Sequence, residues 1–429
     1  MSRVAKYKKE IYQCIQCRSC YFAYSGEPDR KGIGEYKGEL YEGIVDGCPA
    51  QHTFEWNAYA NAGKMWIARG VLEGDLKLED QEGIQIRDLL MPCIVCGNCQ
   101  IQCENKIPTV EIIEALRADL VDAGIPLLEK HEFFGNAALE KHNPYNEPHE
   151  KRTEWLPIDA CKDNADAEIG YFVGCTASYR QFKVSQSAVS LMKKAGIDFT
   201  VLSDEICCAS PLLRTGQMDR AHELIATNME LFSRFKTLVF SCAGCYRTFK
   251  VDYPKITGKP LPFEVKHMVE FFDELMGAGK LEVEKPFNKV ATWHDPCHLG
   301  RHIVTDMEQD MLTESQNWMT DQRKIKKAMA EWFNHPRNII AKIPGLDFRE
   351  MYRIKENSYC CGAGGGVKAG YAQFAVDTAV ERVHEAEATG ADILLTTCSF
   401  CYYNLWDAVQ KAGSDIQVMD LFELLDQLV

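Results

Sequence analysis

TCSFCYYNL (397–405) answers SCAGCYRTF (241–249), and this internal echo divides the chain. Each C-x-x-C follows a short apolar run, TLVFS (237–241) or DILLTT (392–397), that reads as a strand. Upstream in each copy stand a lone cysteine and then an adjacent pair: Cys175 and Cys207-Cys208, then Cys297 and Cys360-Cys361. The gaps are 31 and 33 residues in the first copy and 62 and 36 in the second. The longer gap points to a polar, helical surface insertion near 305–335. IGYFV (169–173), DFTVL (198–202) and KVATWH (289–294) read as further strands. Helical periodicity covers about 181–195, 217–234, 371–389 and 402–412. Alternating strands and helices predict two α/β domains with mostly parallel sheets, at 167–285 and 286–429.

Ahead of them lie Cys14-Cys17-Cys20 with Cys48-Pro49, and Cys93-Cys96-Cys99-Cys103. ANAGKMWIARGVLEGDL (60–76) and the run Val110, Ile113, Leu116, Leu120 and Val121 read as helices, the second stopping at Gly124. Residues 8–130 are therefore expected to be a helical unit, with 131–166 as a linker. The whole is an α+β and α/β multidomain chain.

Eighteen of nineteen cysteines belong to these sets; Cys161 alone stands outside and reads as a bystander. Thiolates grouped at fixed short spacings are metal or cluster ligands far more often than packing residues. C-x-x-C-x-x-C with a distant fourth cysteine is the bacterial ferredoxin pattern, in which the fourth ligand comes from the other motif. This assigns Cys14, Cys17, Cys20 and Cys103 to one cubane [4Fe–4S] cluster, and Cys93, Cys96, Cys99 and Cys48 to a second. Twenty-seven residues separate Cys20 from Cys48, and Glu104 rather than Pro follows Cys103; both depart from the ferredoxin pattern. The insertion FAYSGEPDRKGIGEYKGELYEG is expected to be an external loop.

Five cysteines per repeat exceed what one tetrahedral zinc uses. They sit at the carboxyl ends of the expected strands, where α/β sheets form crevices, and lead into helix N-termini that favour anions. Gly362-Ala363-Gly364-Gly365-Gly366 lacks the G-x-G-x-x-G pattern. It reads as backbone that approaches a metal closely. Ala209 stands where the second copy has Gly362, and alanine disfavours a left-handed backbone, so the first site is expected to be remodelled. Arg180, Arg214, Arg247, Arg301 and Lys368 follow the ligands at short range. They read either as a ring balancing cluster charge or as solvated surface. His294 and His298 flank Cys297 as candidate proton donors or structural hydrogen-bond partners.

The lone Cys, Cys-Cys and C-x-x-C arrangement, present twice, resembles the cysteine-rich CCG domains of the heterodisulfide reductase family. With a two-cluster ferredoxin unit ahead of it, the chain resembles that family's fused catalytic subunit. HDPCHLGR (294–301) resembles the segment that opens the second CCG domain. The resemblance implies a noncubane [4Fe–4S] cluster in each five-cysteine set, with zinc as the alternative occupant of one. Cys175, Cys207, Cys208, Cys242 and Cys245 would hold the first. Cys297, Cys360, Cys361, Cys398 and Cys401 would hold the second, with a disulfide cleaved between them. The alternative is an electron relay without a substrate of its own. It would serve a flavin- or quinone-linked partner such as a benzoyl-CoA reductase complex or a glycolate or lactate oxidase.

Composition narrows the field. A formal net charge of -14 and the lack of a basic patch exclude a nucleic-acid binder. The hydrophobic fraction of 46% supports globular domains, and no run of eighteen apolar residues encodes a membrane span. Without a secretory signal, so many unpaired-type cysteines point to a reducing, anaerobic cytoplasm. No flavin or nicotinamide fingerprint is present. Electrons must therefore come from flavin- or ferredoxin-linked partner subunits, one of them a candidate membrane anchor, and a small disulfide or thiol is the expected substrate.

Overall fold

The computed structural model describes residues 2–25, 43–157, 161–314 and 321–429. The apolar face of each helix dictates its place. In the N-terminal unit, Asn61–Glu73 buries Met65, Ile67 and Ala68, while Thr109–Asp122 buries Ile112, Ile113, Leu116 and Leu120. These helices share a core with Val4, Ile11 and Leu90. Phe22–Ser25 pairs antiparallel with Gly43–Asp46. Most of the loop expected around this ladder lies outside the described residues.

Each repeat is built on a parallel sheet. In the first, Thr237–Phe240 is the centre, flanked by Ile169–Phe172 and Glu264–His267. In the second the order is Asp347–Phe348, Val290–Trp293, Ile393–Thr396 and Gln417–Asp420. Central strands are buried on both faces, as Ile393–Thr396 is throughout. The expected strand at 198–202 is reduced to isolated bridges at Thr200 and Val201. The segment pairs outside the sheet edge only at those two residues. The helices expected near 181–195, 217–234 and 371–389 are Phe182–Lys194, Met218–Leu231 and Ala372–Ala388. The one expected at 402–412 begins earlier, as Ser399–Ala412.

In the stretch expected to be a linker, the described residues 131–157 are packed. Glu129–Glu140 is helical, and His131, Asn143, Arg152 and Trp155 are buried. The insertion of the second repeat, expected near 305–335, is helical, within Arg301–Glu314 and Gln322–Trp332, and its described residues are mostly exposed or half-buried, while the turn just ahead of it, 301–304, is buried. That turn packs on the N-terminal unit, where His302 Nε2 lies 3.0 Å from the carbonyl of Val95.

Candidate metal centre

The four N-terminal thiol positions of each expected set come together across the two motifs. Cys20 and Cys103 both lie in the field of Cys14 and Cys17. Cys48 lies in that of Cys96 and Cys93. Cys48, Cys93, Cys96 and Cys99 line one cavity, joined by Asn61, Lys64 and Asn98. Four sulfurs around one void are a donor set that fits a cubane cluster. Cys48 caps the helix Pro49–Phe54, whose first residue is the proline that such an N-terminus favours. Burial pushes the Cys48 thiol up to about 12 and Cys20 up to about 11. A metal bound there would relieve this cost by replacing the protons, which would couple folding to metal binding. Lys64, 1% exposed, supplies a buried cation beside Cys48. Its signal in the sequence is a lysine among Ala62, Met65 and Ala68 on a helix's buried face.

The ten cysteines of the repeats form one unbroken string. Cys175 meets Cys207, Cys207 meets Cys208, Cys208 meets Cys245, and Cys245 meets Cys242. Cys242 then meets Cys398 across the repeats, and Cys398 meets Cys401. Cys401 Sγ is 3.1 Å from Cys361 Sγ. Cys361 meets Cys360, which also reaches Cys297 and Cys96. The string therefore ends on a thiol that lines the N-terminal cavity. Cys175 opens a helix, while Cys242 and Cys398 cap helices, so three sulfurs sit at positive dipole ends. The neighbouring Cys360 lowers Cys96 to about 6, and the neighbouring Cys207 lowers Cys208 to about 6. Cys161 is influenced by Lys193 and Asp198 and by no other thiol.

Several expectations change. Ala209 adopts the left-handed conformation at φ +67°, matching Gly362 at φ +83°, so both pairs keep the same turn despite the alanine. The glycine run does not face the sulfurs. A Cβ on Gly365 would stand 2.5 Å from the Cys93 carbonyl oxygen, and one on Gly364 would stand 2.8 Å from that of Ile94. The run is instead where the second repeat docks on the N-terminal ligand loop. The basic residues do not form a ring: Arg214, Arg247 and Arg301 are buried, whereas Arg180 lies on the exposed surface. Arg214 pairs with Glu114 and Asp252, and Arg247 with Asp252. Arg301 donates to the carbonyls of Cys96, Glu356 and Ser358. Arg180 pairs with Glu147, and Lys368 with Asp407.

Histidines complete the surroundings. A ring nitrogen of His294 lies within 4.8 Å of Cys361 and Cys401 Sγ. Its Nδ1 accepts from Arg382 Nε at 3.2 Å, and burial keeps the ring neutral by lowering its pKa. His298 and His302 group with Cys297 in the same way. Arg152, Arg117, Arg382 and His302 were not legible as site residues, because each acts through long-range contacts.

Residues 10–107 match the 4Fe-4S dicluster domain family, and 169–250 and 323–406 match the cysteine-rich CCG domain family. The chain is 38% identical over 428 residues to the D-type subunit of dihydromethanophenazine:CoB–CoM heterodisulfide reductase from Methanosarcina barkeri, covering 97% of this chain and 93% of that one. The chain belongs to the heterodisulfide reductase family, among its D-type subunits. It is an iron–sulfur electron-transfer subunit with a ferredoxin-type unit and two CCG domains. The corresponding D-type subunit of Methanosarcina acetivorans is 36% identical, covering 97% of this chain and 94% of that one. A more distant relative is the B-type subunit of the CoM/CoB fumarate reductase of Methanothermobacter marburgensis, 28% identical over 97% of this chain and 72% of that one. A hypothetical protein from Helicobacter pylori shares the fold at a TM-score of 0.55 and 11% identity, covering 87% of this chain and 68% of that one. Among the described residues no helix is long and apolar enough to cross a membrane.

Proposed function

We propose that this chain is an oxidoreductase subunit that reduces a small-molecule disulfide at its ten-thiol centre, within a multi-subunit assembly. The single observation carrying this reading is the contact of the two complete five-cysteine sets at Cys242 and Cys398. Cys14, Cys17, Cys20 and Cys103 would hold one cubane cluster, and Cys48, Cys93, Cys96 and Cys99 the other. The two CCG sets would hold noncubane clusters. When bound, these groups supply one-electron transfer and open iron coordination for sulfur.

The chain's own residues divide the remaining work. Disulfide reduction consumes two electrons and two protons and gives two thiols. The electrons come from a one-electron donor protein, flavin- or ferredoxin-linked, arriving at the N-terminal unit. Cys360 and Cys96 join that unit to the second repeat, and Cys242 and Cys398 join the two repeats. Burial of nine of the ten thiols, with Cys297 half-buried, restricts water at the reacting sulfurs. With Nδ1 accepting from Arg382, neutral His294 carries its proton on Nε2, a buried N–H without a protein partner among the described residues, close to the Cys361 and Cys401 pair.

The test is turnover of a mixed disulfide with reduced viologen under anaerobic conditions. The expected result is thiol formation that Cys361→Ala abolishes while the cubane spectra persist. Full iron content with no turnover would instead make the chain a relay for a partner's active site.

A further inference from the structure

The two five-cysteine sets have unlike surroundings. Arg152, 1% exposed, comes from the segment ahead of the repeats and points one guanidinium nitrogen at Cys175 Sγ, 3.4 Å away. Glu205 holds the other nitrogen at 2.6 Å. Glu205 also accepts from the backbone N–H groups of Val173 at 2.7 Å and Gly174 at 2.9 Å. Its negative charge is thus spread over three donors, and the guanidinium is fixed by a neighbour that is itself fixed. The nitrogen aimed at Cys175 also donates to the carbonyl of His142 at 3.0 Å, and the Tyr179 ring lies against the guanidinium, whose Nε has no partner among the described residues. Among the described residues of the second repeat, nothing copies this arrangement. There the group beside Cys361 is the neutral imidazole of His294, and Arg382 behind it is engaged by Glu385.

We infer that Arg152 is a positioning residue that raises the reduction potential of the first CCG site above that of the second. Hydrogen bonding and positive charge at a ligating sulfur stabilise the more negative, reduced state, and Arg152 brings both to Cys175, where the second set has a neutral imidazole instead. The order of contacts gives this a consequence. The second set touches the N-terminal unit through Cys360 and Cys96, whereas the first set lies beyond it through Cys398 and Cys242. A higher potential at the far end makes the first site the sink in which electrons settle. This rests on the reading that both sets hold iron–sulfur clusters, but not on the disulfide step.

The experiment is an anaerobic potentiometric titration of the whole protein, followed by electron paramagnetic resonance, with no disulfide added. The first-site signal is the one that Cys175→Ser broadens or removes. Arg152→Gln should keep the wild-type iron count and move that signal's midpoint to more negative potential. Arg152→Lys, which keeps the charge but loses the planar fork, should move it less. The cubane midpoints should stay in place in both variants. Unchanged midpoints with iron retained would overturn the inference. So would loss of first-site iron in both variants, since Arg152 would then hold the site together rather than set its potential. Absence of iron from the ten-thiol centre of the unmutated protein would instead defeat the cluster reading beneath it.

Discussion

Ala209 holds a left-handed backbone that costs an L-residue about 1–2 kcal/mol. Its methyl is fully buried, and burying one such group returns about 0.8 kcal/mol. The two nearly offset, so Ala209→Gly should change the unfolding free energy by less than about 1 kcal/mol and leave the iron count unchanged. Denaturant titration with an iron assay checks this, and loss of iron would contradict it. His131 offers a pH test. Burial lowers it to about 4, and its Nε2–H donates to the Gly366 carbonyl at 2.9 Å. Between pH 6.5 and 4 the unfolded chain binds a proton that the folded one refuses. Stability therefore falls on acidification through that window, by up to about 1.4 kcal/mol per pH unit from this group. His131→Asn lacks the term, so the stability gap between it and the unmutated protein should narrow from pH 7 to pH 5. A gap that stays constant would contradict the assignment. Neither residue's role was legible in the sequence. Alanine's usual preference argued against the observed turn, and His131 acts across a contact with the distant Gly366.

At the scale of elements, short-range information was the readable part. C-x-x-C spacings place their sulfurs within a single turn, so the sets were apparent from spacing alone. The apolar runs that became central strands were equally plain, because burial on both faces leaves no polar alternation to blur them. Glu264–His267, Asp347–Phe348 and Gln417–Asp420 were missed, being two to four residues long and carrying charged side chains. The glycine run was visible, but its purpose was not, since the backbone it approaches belongs to a different unit. That contact makes a specific prediction. Gly365→Ala adds a Cβ at φ +65° that meets the Cys93 and Ile94 backbone. Backbone cannot yield as a flexible side chain can. The variant should therefore lose iron from the Cys48, Cys93, Cys96 and Cys99 set, although the substitution lies in the second repeat. Iron analysis with cubane spectroscopy reads this. Loss confined to the second repeat's own site would contradict it.

Across the whole molecule, Arg117 ties the three units together. Its guanidinium is fully buried and donates to the carbonyls of Leu90, Met91 and Cys93 in the N-terminal unit, Arg214 in the first repeat and Gly365 in the second. Each buried carbonyl left unpaired costs about 1–3 kcal/mol. Arg117→Met should thus destabilise the assembly of units by more than about 3 kcal/mol, seen as a lowered denaturation midpoint under anaerobic conditions. A shift below about 1 kcal/mol would contradict its role. Such ties could not be read from spacing, because the partners are far apart in the chain. The same applies to the thiol string, whose members were apparent but whose order was not. That string, continuous from the N-terminal cavity through Cys96 and Cys360 to Cys175, is the central claim. It is tested most directly by the metal content of protein purified without oxygen. Two cubane and two noncubane clusters predict about 16 iron atoms per chain and no stoichiometric zinc. A preparation holding about 8 iron atoms, with zinc or nothing in the ten-thiol centre, would contradict the account.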